Sequence, residues 1–188
     1  MSDQPIAMQG EADKVLDEPG VVIRVATATE RAEIERVLLD AYGEYEDVLS
    51  EELWSAYKTS ILHAIDEAET IERLVAERNG ELVGSVFIYA NSEKAYGQTE
   101  LGIDSPIIRL LAVTRQARGL GVATALIRAS AQWASAIGAE TLHLHTSDIM
   151  QAAVRLYEHL GFERAYDKEF SNGNVLVKSY RVRLATFL

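Results

Sequence analysis

Arg118-Gly119-Leu120-Gly121-Val122-Ala123 sets an arginine and two glycines just ahead of a run with helical spacing. Glycines at a helix start leave backbone N–H groups uncovered, and the first turn has no internal acceptors for them. With no Cβ in the way, a phosphate can approach closely. The charge pattern agrees. Residues 105–139 hold Arg109, Arg115, Arg118 and Arg128 and no Asp or Glu. The chain carries 29 acids in 188 residues, so an even spread would put about five there. The competing reading is a strand–turn–helix whose glycines only permit tight packing. The cleared acids favour the anion site.

Other residues also have types that can do chemistry. His143 and His145 alternate, so on a strand they share a face. With Asp148 they suggest a metal, but no third well-spaced ligand accompanies them, and a base role for one of them is the better expectation. Tyr42, Tyr45, Trp54 and Tyr57 fall at helical spacing. That pattern suits a core. Tyr42 and Tyr45 also abut the acids Glu44, Glu46 and Asp47, where a cationic amine can sit against aromatic faces.

The elements that must position these residues can be read from periodicity. Residues 107–113 are almost continuously apolar, as expected of a strand covered on both faces. Val122, Leu126, Ile127, Ser130, Trp133, Ala134 and Ile137 then recur at helical spacing, and Gly138 marks the stop. Upstream, residues 21–26 predict a strand and Thr27-x-x-Glu30 resembles a capping box. Ile34, Val37, Leu38, Ala41, Tyr42 and Tyr45 form one helical face. Ser50 is placed to cap a second helix with Glu51 and Glu52 in its first turn. Its stripe is Trp54, Tyr57, Ile61, Ile65 and Ala68. Asn79-Gly80 between two β-rich runs predicts a two-residue hairpin. Residues 91–104 read as a polar loop, 141–146 as a strand, and 149–160 as a helix stopped by Gly161. Residues 162–170 and 175–184 read as a last hairpin around 171–174. Residues 1–20 are polar, acidic and aperiodic and read as a flexible tail. The order is β-α-α-β-β-β-α-β-α-β-β, with 21–188 as one domain.

Arg118-Gly119-Leu120-Gly121-Val122-Ala123 resembles the Arg/Gln-x-x-Gly-x-Gly/Ala signature of the GCN5-related N-acetyltransferase (GNAT) superfamily. The preceding Leu111-Ala112-Val113 is similar to what that family carries on its fourth strand. About forty residues on, 153–162 (Ala-Val-Arg-Leu-Tyr-Glu-His-Leu-Gly-Phe) is similar to its second cofactor helix. The resemblance implies an α/β (α+β) fold, a single GNAT-like domain with a mixed central sheet of about seven strands and flanking helices. It implies acetyl-CoA as co-substrate, with no metal. Backbone amides of Arg118, Gly119, Leu120, Gly121, Val122 and Ala123 would then hold the pyrophosphate. Leu111, Ala112 and Val113 would pair with the amide-rich pantetheine arm as an added strand does. A backbone N–H near Val113 would polarise the thioester carbonyl. Tyr157 matches the family's tyrosine, contacting the cofactor and protonating the leaving thiolate. A phenol of pKa about 10 keeps its proton at neutral pH.

Two positions depart from the family pattern. Several members have a glutamate near the start of the fourth strand, where this chain has Ile107. Glu100, Asp104, Glu44, Glu46 and Asp47 are the remaining candidates to take the amine's proton, through water. Met150 stands where an asparagine often contacts the pantetheine arm, and methionine cannot donate that bond. Water or Ser147 would substitute.

Totals narrow the function further. A net charge of −11 argues against nucleic-acid binding and against anionic membranes. The chain has no cysteine, which excludes disulfides, thiolate zinc sites and a cysteine nucleophile. There is no apolar run of membrane-spanning length and no secretory signal pattern, so a cytoplasmic protein is expected. The reading is an N-acetyltransferase acting on a small-molecule or peptide amine, with a homodimer in keeping with family habit. The alternative is a non-catalytic acyl-CoA-binding sensor. A nucleotide-binding module lacks support, since Val122-Ala123 follows Gly121 where a Walker lysine would stand.

Overall fold

The computed structural model describes residues 15–18, 20–66, 70–173 and 175–188. Residues 1–14 and 19 of the expected tail, Ala68 of the second helix's stripe and Asn174 of the last turn lie outside them. Within the expected tail, Val15–Glu18 forms a strand, β1, that pairs antiparallel with β2, Val21–Val25. Then come α1 (Arg31–Tyr42), α2 (Glu51–Asp66), β3 (Glu72–Arg78), β4 (Glu81–Tyr89) and α3 (Ser92–Tyr96). β5 (Ile107–Val113), α4 (Val122–Ala136), β6 (Thr141–Thr146) and α5 (Gln151–His159) follow. The chain ends with β7 (Glu163–Arg164), β8 (Phe170–Asn172), β9 (Val175–Arg183) and α6 (Leu184–Phe187).

Eight strands run in the order β1-β2-β3-β4-β5-β6-β9-β7, and β8 pairs with β9. Among the described residues only β5 and β6 are parallel. The sheet is mixed, open and flanked by helices, in keeping with the α/β expectation. Its two faces carry separate cores. One packs Val86, Ile88, Ile108, Leu142 and Leu144 against Leu126 and Ile127 of α4. The other packs Val75, Phe87, Tyr89 and Ile107 against Val37 and Leu38 of α1 and Ile61 of α2. Burial on both faces explains why β5 reads as an almost continuous apolar run. Each fully buried side chain of this size contributes about 1.5–3 kcal/mol.

Local signals mostly act as their chemistry dictates. Asn79 and Gly80 take φ of 53° and 82°, the backbone of a two-residue primed turn, and Arg78 faces Glu81 across it. Ser50 Oγ accepts the Leu53 N–H at 3.4 Å. The capping box forms by half: Glu30 accepts the Thr27 N–H at 2.7 Å, but Glu30 itself is the residue ahead of α1. Its carboxylate is held well below the usual range by Arg24.

Three stretches differ from expectation. Residues 91–104 are not a plain loop. Asn91 Oδ1 caps α3 by accepting the Lys94 N–H at 2.9 Å, and Gly97 ends it at φ 67°. Residues 162–170 are not one strand. After β7 the polar Tyr166–Lys168 turns out of the sheet in a 3-10 helix and returns only at β8. Finally, Leu184 opens α6 rather than closing the last strand, and Phe187 packs its ring on Phe162 at 5.7 Å. Ile137, expected on the apolar face of α4, is 55% exposed.

Candidate active site

β5 pairs with β6 only at Ile107↔His143 and Ile108↔Leu144. Beyond Ile108 the two parallel strands separate. On the other edge of β5 the ladder with β4 also breaks. Ser85 faces Ala112 and Phe87 faces Arg109, so Leu110 and Leu111 together oppose Val86. This is a β-bulge, and Leu110 takes φ 51°, a costly conformation for a branched side chain. The backbone donor was expected near Val113: the Thr114 N–H bonds the Val83 carbonyl at 2.9 Å, so by the alternation of an antiparallel strand the Val113 N–H is directed away from β4.

Between the separated strands lies a cleft of about 450 Å³. Leu111, Ala112, Val113, Arg118, Gly119, Gly121, Val122, Ala123 and Tyr157 are among the residues that line it. Leu120 is not part of the lining and is 39% exposed. Gly119 and Gly121 take φ of 75° and 78°. Gly121 is the residue ahead of α4, and no side chain caps that helix. The first-turn N–H groups therefore open onto the cleft end. Gly84 sets their position. A Cβ there would lie 2.9 Å from Val122 Cγ1, so α4 begins directly on the β4 backbone.

The arginines are less free than the sequence suggests. Arg118 donates to both Glu44 oxygens, at 2.7 and 3.1 Å, and to the Ala41 carbonyl at 3.0 Å. The Arg115 N–H meets Asp40 Oδ2 at 2.7 Å. The acid-free stretch thus meets acids from the end of α1, and its guanidinium groups fasten the glycine turn. The backbone amides of the turn are left as its open donors.

The far wall is made of side chains. Tyr42 is buried and donates to the Leu111 carbonyl at 3.2 Å. Its ring stands edge-on to Tyr57 at 5.8 Å. Tyr42 and Tyr45 are both core and cleft wall. His145 is in the wall; His143 is not, although both sit on the same face of β6. The His145 Nε2–H points at the Lys168 carbonyl at 3.3 Å, so Nδ1 accepts the Tyr96 hydroxyl at 2.9 Å. Burial pushes both histidines down to about 4, which keeps them neutral at pH 7. With both nitrogens engaged, His145 has no lone pair to spare as a base.

Tyr157 comes from α5, is 6% exposed, and packs against Phe162 and Tyr180. Burial raises its pKa above the ordinary phenol value, so it keeps its proton. Met150 lines the cleft ahead of α5, and Ser147 does not. Of the candidate bases, Glu46, Asp47, Glu100 and Asp104 are exposed and outside the lining. Glu44 is inside it but paired with Arg118. Ile107 is fully buried.

Sequence reasoning missed Tyr96, which sits in the stretch read as a loop, and the bulge at Leu110. It counted Arg109 only as a charge. Among the described residues no group of three or more His, Asp or Glu is placed to hold a metal ion, and no helix is long and apolar enough to cross a membrane.

The chain is 31% identical over 120 residues to N-acetyltransferase 8 of Rattus norvegicus, covering 59% of this chain and 51% of that one. It is 37% identical over 92 residues to mycothiol acetyltransferase of Thermobispora bispora, covering 48% and 29%. The matched stretches span about half or less of those relatives. Among solved structures, the paia N-acetyltransferase from Thermoplasma acidophilum in complex with coenzyme A superposes with a TM-score of 0.65. The match is at 13% identity, over 86% of this chain and 99% of that one. The Acetyltransferase (GNAT) family profile matches residues 31–162, and with the separated strands and glycine-led helix it establishes that this chain belongs to that family.

Proposed function

We propose that the protein transfers an acetyl group from acetyl-CoA to a primary amine by direct attack within a ternary complex. The observation that carries this reading is the separation of β5 from β6, with uncapped α4 amides at one end and Tyr157 in the wall. The cleft fits the carrier's parts. Amides of residues 118–123 suit a diphosphate, and the β5 edge from Leu111 to Val113 suits an arm of peptide-like groups. Bound acetyl-CoA supplies an activated acyl group. The chain's own residues do the rest. The bulge at Leu110 and Leu111 frees backbone polar groups from the ladder, and an N–H there is the donor to the acyl carbonyl. Such a donor is worth about 10²–10³ in rate. Tyr157 donates its proton to the departing sulfur. The amine's proton leaves through solvent, since Glu44 is held by Arg118 and His145 is fully bonded. A primary amine's conjugate acid, with a pKa about 10.4, must lose that proton before attack. The cytoplasm, where acetyl-CoA is available, is a compartment that fits this reading.

The absence of an unpaired carboxylate in the described cleft lining favours one second reading, a non-catalytic acyl-CoA sensor. Thiol release from acetyl-CoA with a panel of amines separates the two. Turnover that falls about 10- to 100-fold in Tyr157→Phe supports the transferase. Tight binding without release under any amine supports the sensor.

A further inference from the structure

Arg109 is the residue just before the bulge, and its side chain lies on the α1–α2–α3 face of β5, within the cleft. Its guanidinium is stacked over Tyr96 at 4.6 Å and Tyr89 at 5.3 Å. It also donates to the Ala95 carbonyl. No carboxylate lies within ion-pair distance of it among the described residues. The contrast with its neighbours is direct. Arg24, Arg118 and Arg164 are likewise only partly exposed, and each meets a carboxylate. A chain with 29 acids to 18 bases had counter-ions to spare. A desolvated cation left without one is costly. The two rings hold it in a fixed orientation but do not cancel its charge.

The rest of that wall repeats the pattern. Beside it, Lys168 Nζ donates among the described residues to the carbonyls of Leu101 and Gly102. His145 is neutral. Glu169, beside Lys168, is held by Arg164 at 2.5 Å, and Glu44 is held by Arg118. A polyamine or a lysine side chain would bring a second positive charge to a wall that already carries an unpaired one.

We infer that Arg109 anchors a carboxylate on the acceptor, so the amine that is acetylated belongs to an anionic, amino-acid-like molecule. This rests on the transferase reading above. An α-amino acid carries its amine and carboxylate on one carbon, so holding one group places the other. Because Arg109 adjoins Leu110, the anchored amine lies beside the break in the ladder. A planar guanidinium makes two parallel bonds to a carboxylate, which an ammonium does not. Tyr96, Phe170 and Met150, near or in the same wall, suit an apolar side chain.

The test compares acids with their own amides. Thiol release is measured with glycine, L-leucine and L-phenylalanine, with the matching carboxamides, and with putrescine and a C-terminally amidated lysine peptide. The expected kcat/KM is at least about tenfold higher for the acid than for its amide. Arg109→Gln brings that ratio to near one, and Arg109→Lys retains part of it. Acetyl-CoA binding by calorimetry reports that each variant is folded. Preference for amides, putrescine or the peptide overturns the inference and leaves the transferase reading standing, as does a ratio unmoved in Arg109→Gln. If no amine turns over, the transferase reading falls. The inference is then decided by calorimetry with CoA present. L-phenylalanine bound by the wild type, with its amide rejected and the binding lost in Arg109→Gln, sustains it; no binding overturns it.

Discussion

On the α4 side the cleft wall is backbone: Gly119 and Gly121 at positive φ, the uncapped first turn of α4, and the free edge of β5. On the opposite face it is side chains brought from several elements. Tyr42 ends α1, Arg109 lies on β5 and His145 on β6, and Tyr96 at the end of α3 braces the last two from behind. A backbone wall recognises what every thioester carrier of this kind shares, amides and a diphosphate. A side-chain wall can be rebuilt residue by residue without moving the backbone. On the proposed reading, the first wall takes the carrier and the second the acceptor.

The sharpest break of this contrast is Gly121→Glu. A side chain at φ 78° costs about 1–2 kcal/mol. Its carboxylate would also stand where a phosphate is expected. Like charges about 4 Å apart repel by about 4 kcal/mol at an effective dielectric near 20, which is about 10³-fold in affinity. Calorimetry with CoA should show that loss while circular dichroism keeps its helical signal. Unchanged affinity would remove the glycine turn from the site.

The contrast also explains what could be read in advance. Residues 107–123 encode their own structure: an apolar run, then glycines, then helical spacing. Their neighbours hardly alter the outcome, so the strand, turn and helix of that wall were legible. The far wall was not. Tyr96 becomes a site residue only because Asn91 caps a short helix and Gly97 ends it, which aims the ring at a strand 49 positions on. The bulge at Leu110 has no local mark, since Leu110-Leu111 reads like any buried strand. Residues 162–170 were read as one strand because their apolar ends suit β structure, while Tyr166–Lys168 instead leaves the sheet and meets His145. Arg118 looked free for phosphate because its partner Glu44 is 74 positions away.

The two histidines of β6 sharpen the comparison through pH. In the folded chain both are pushed down to about 4, against an ordinary 6.5. Between those values the unfolded chain binds the protons and the folded chain does not. Stability is therefore full above pH 6.5 and falls as the pH drops toward 4, by about 3 kcal/mol for each histidine. Urea midpoints measured from pH 7.5 to 4.5 should show the decline. His143→Gln and His145→Gln should each flatten it. Only the second, whose ring is in the cleft wall, should also change the acceptor KM. Equal effects on that KM would mean that the two positions along the strand are not distinct.

Tyr96→Phe is a smaller change to the same wall. It removes the hydroxyl donated to His145 Nδ1 and leaves a half-buried acceptor unpaired. The expected cost is about 1–2 kcal/mol of stability, with an acceptor KM raised several-fold and an acetyl-CoA KM moved less than about twofold. A larger effect on the acetyl-CoA KM would join the two walls into one.

The smallest effect is expected where the walls are tied together. Arg118 spans from the glycine turn to Glu44 and the Ala41 carbonyl, with both charged side chains about 40% exposed. Solvent screens such a pair, so Arg118→Ala should cost no more than about 1 kcal/mol in a denaturant midpoint. If amides rather than the guanidinium hold the diphosphate, the acetyl-CoA KM should rise only a few-fold. Glu44→Gln should raise it no further than that, because removing the acid frees Arg118 to face the phosphate instead. A loss approaching that of Gly121→Glu in Arg118→Ala would show that the side chain, and not the backbone, makes the cofactor wall.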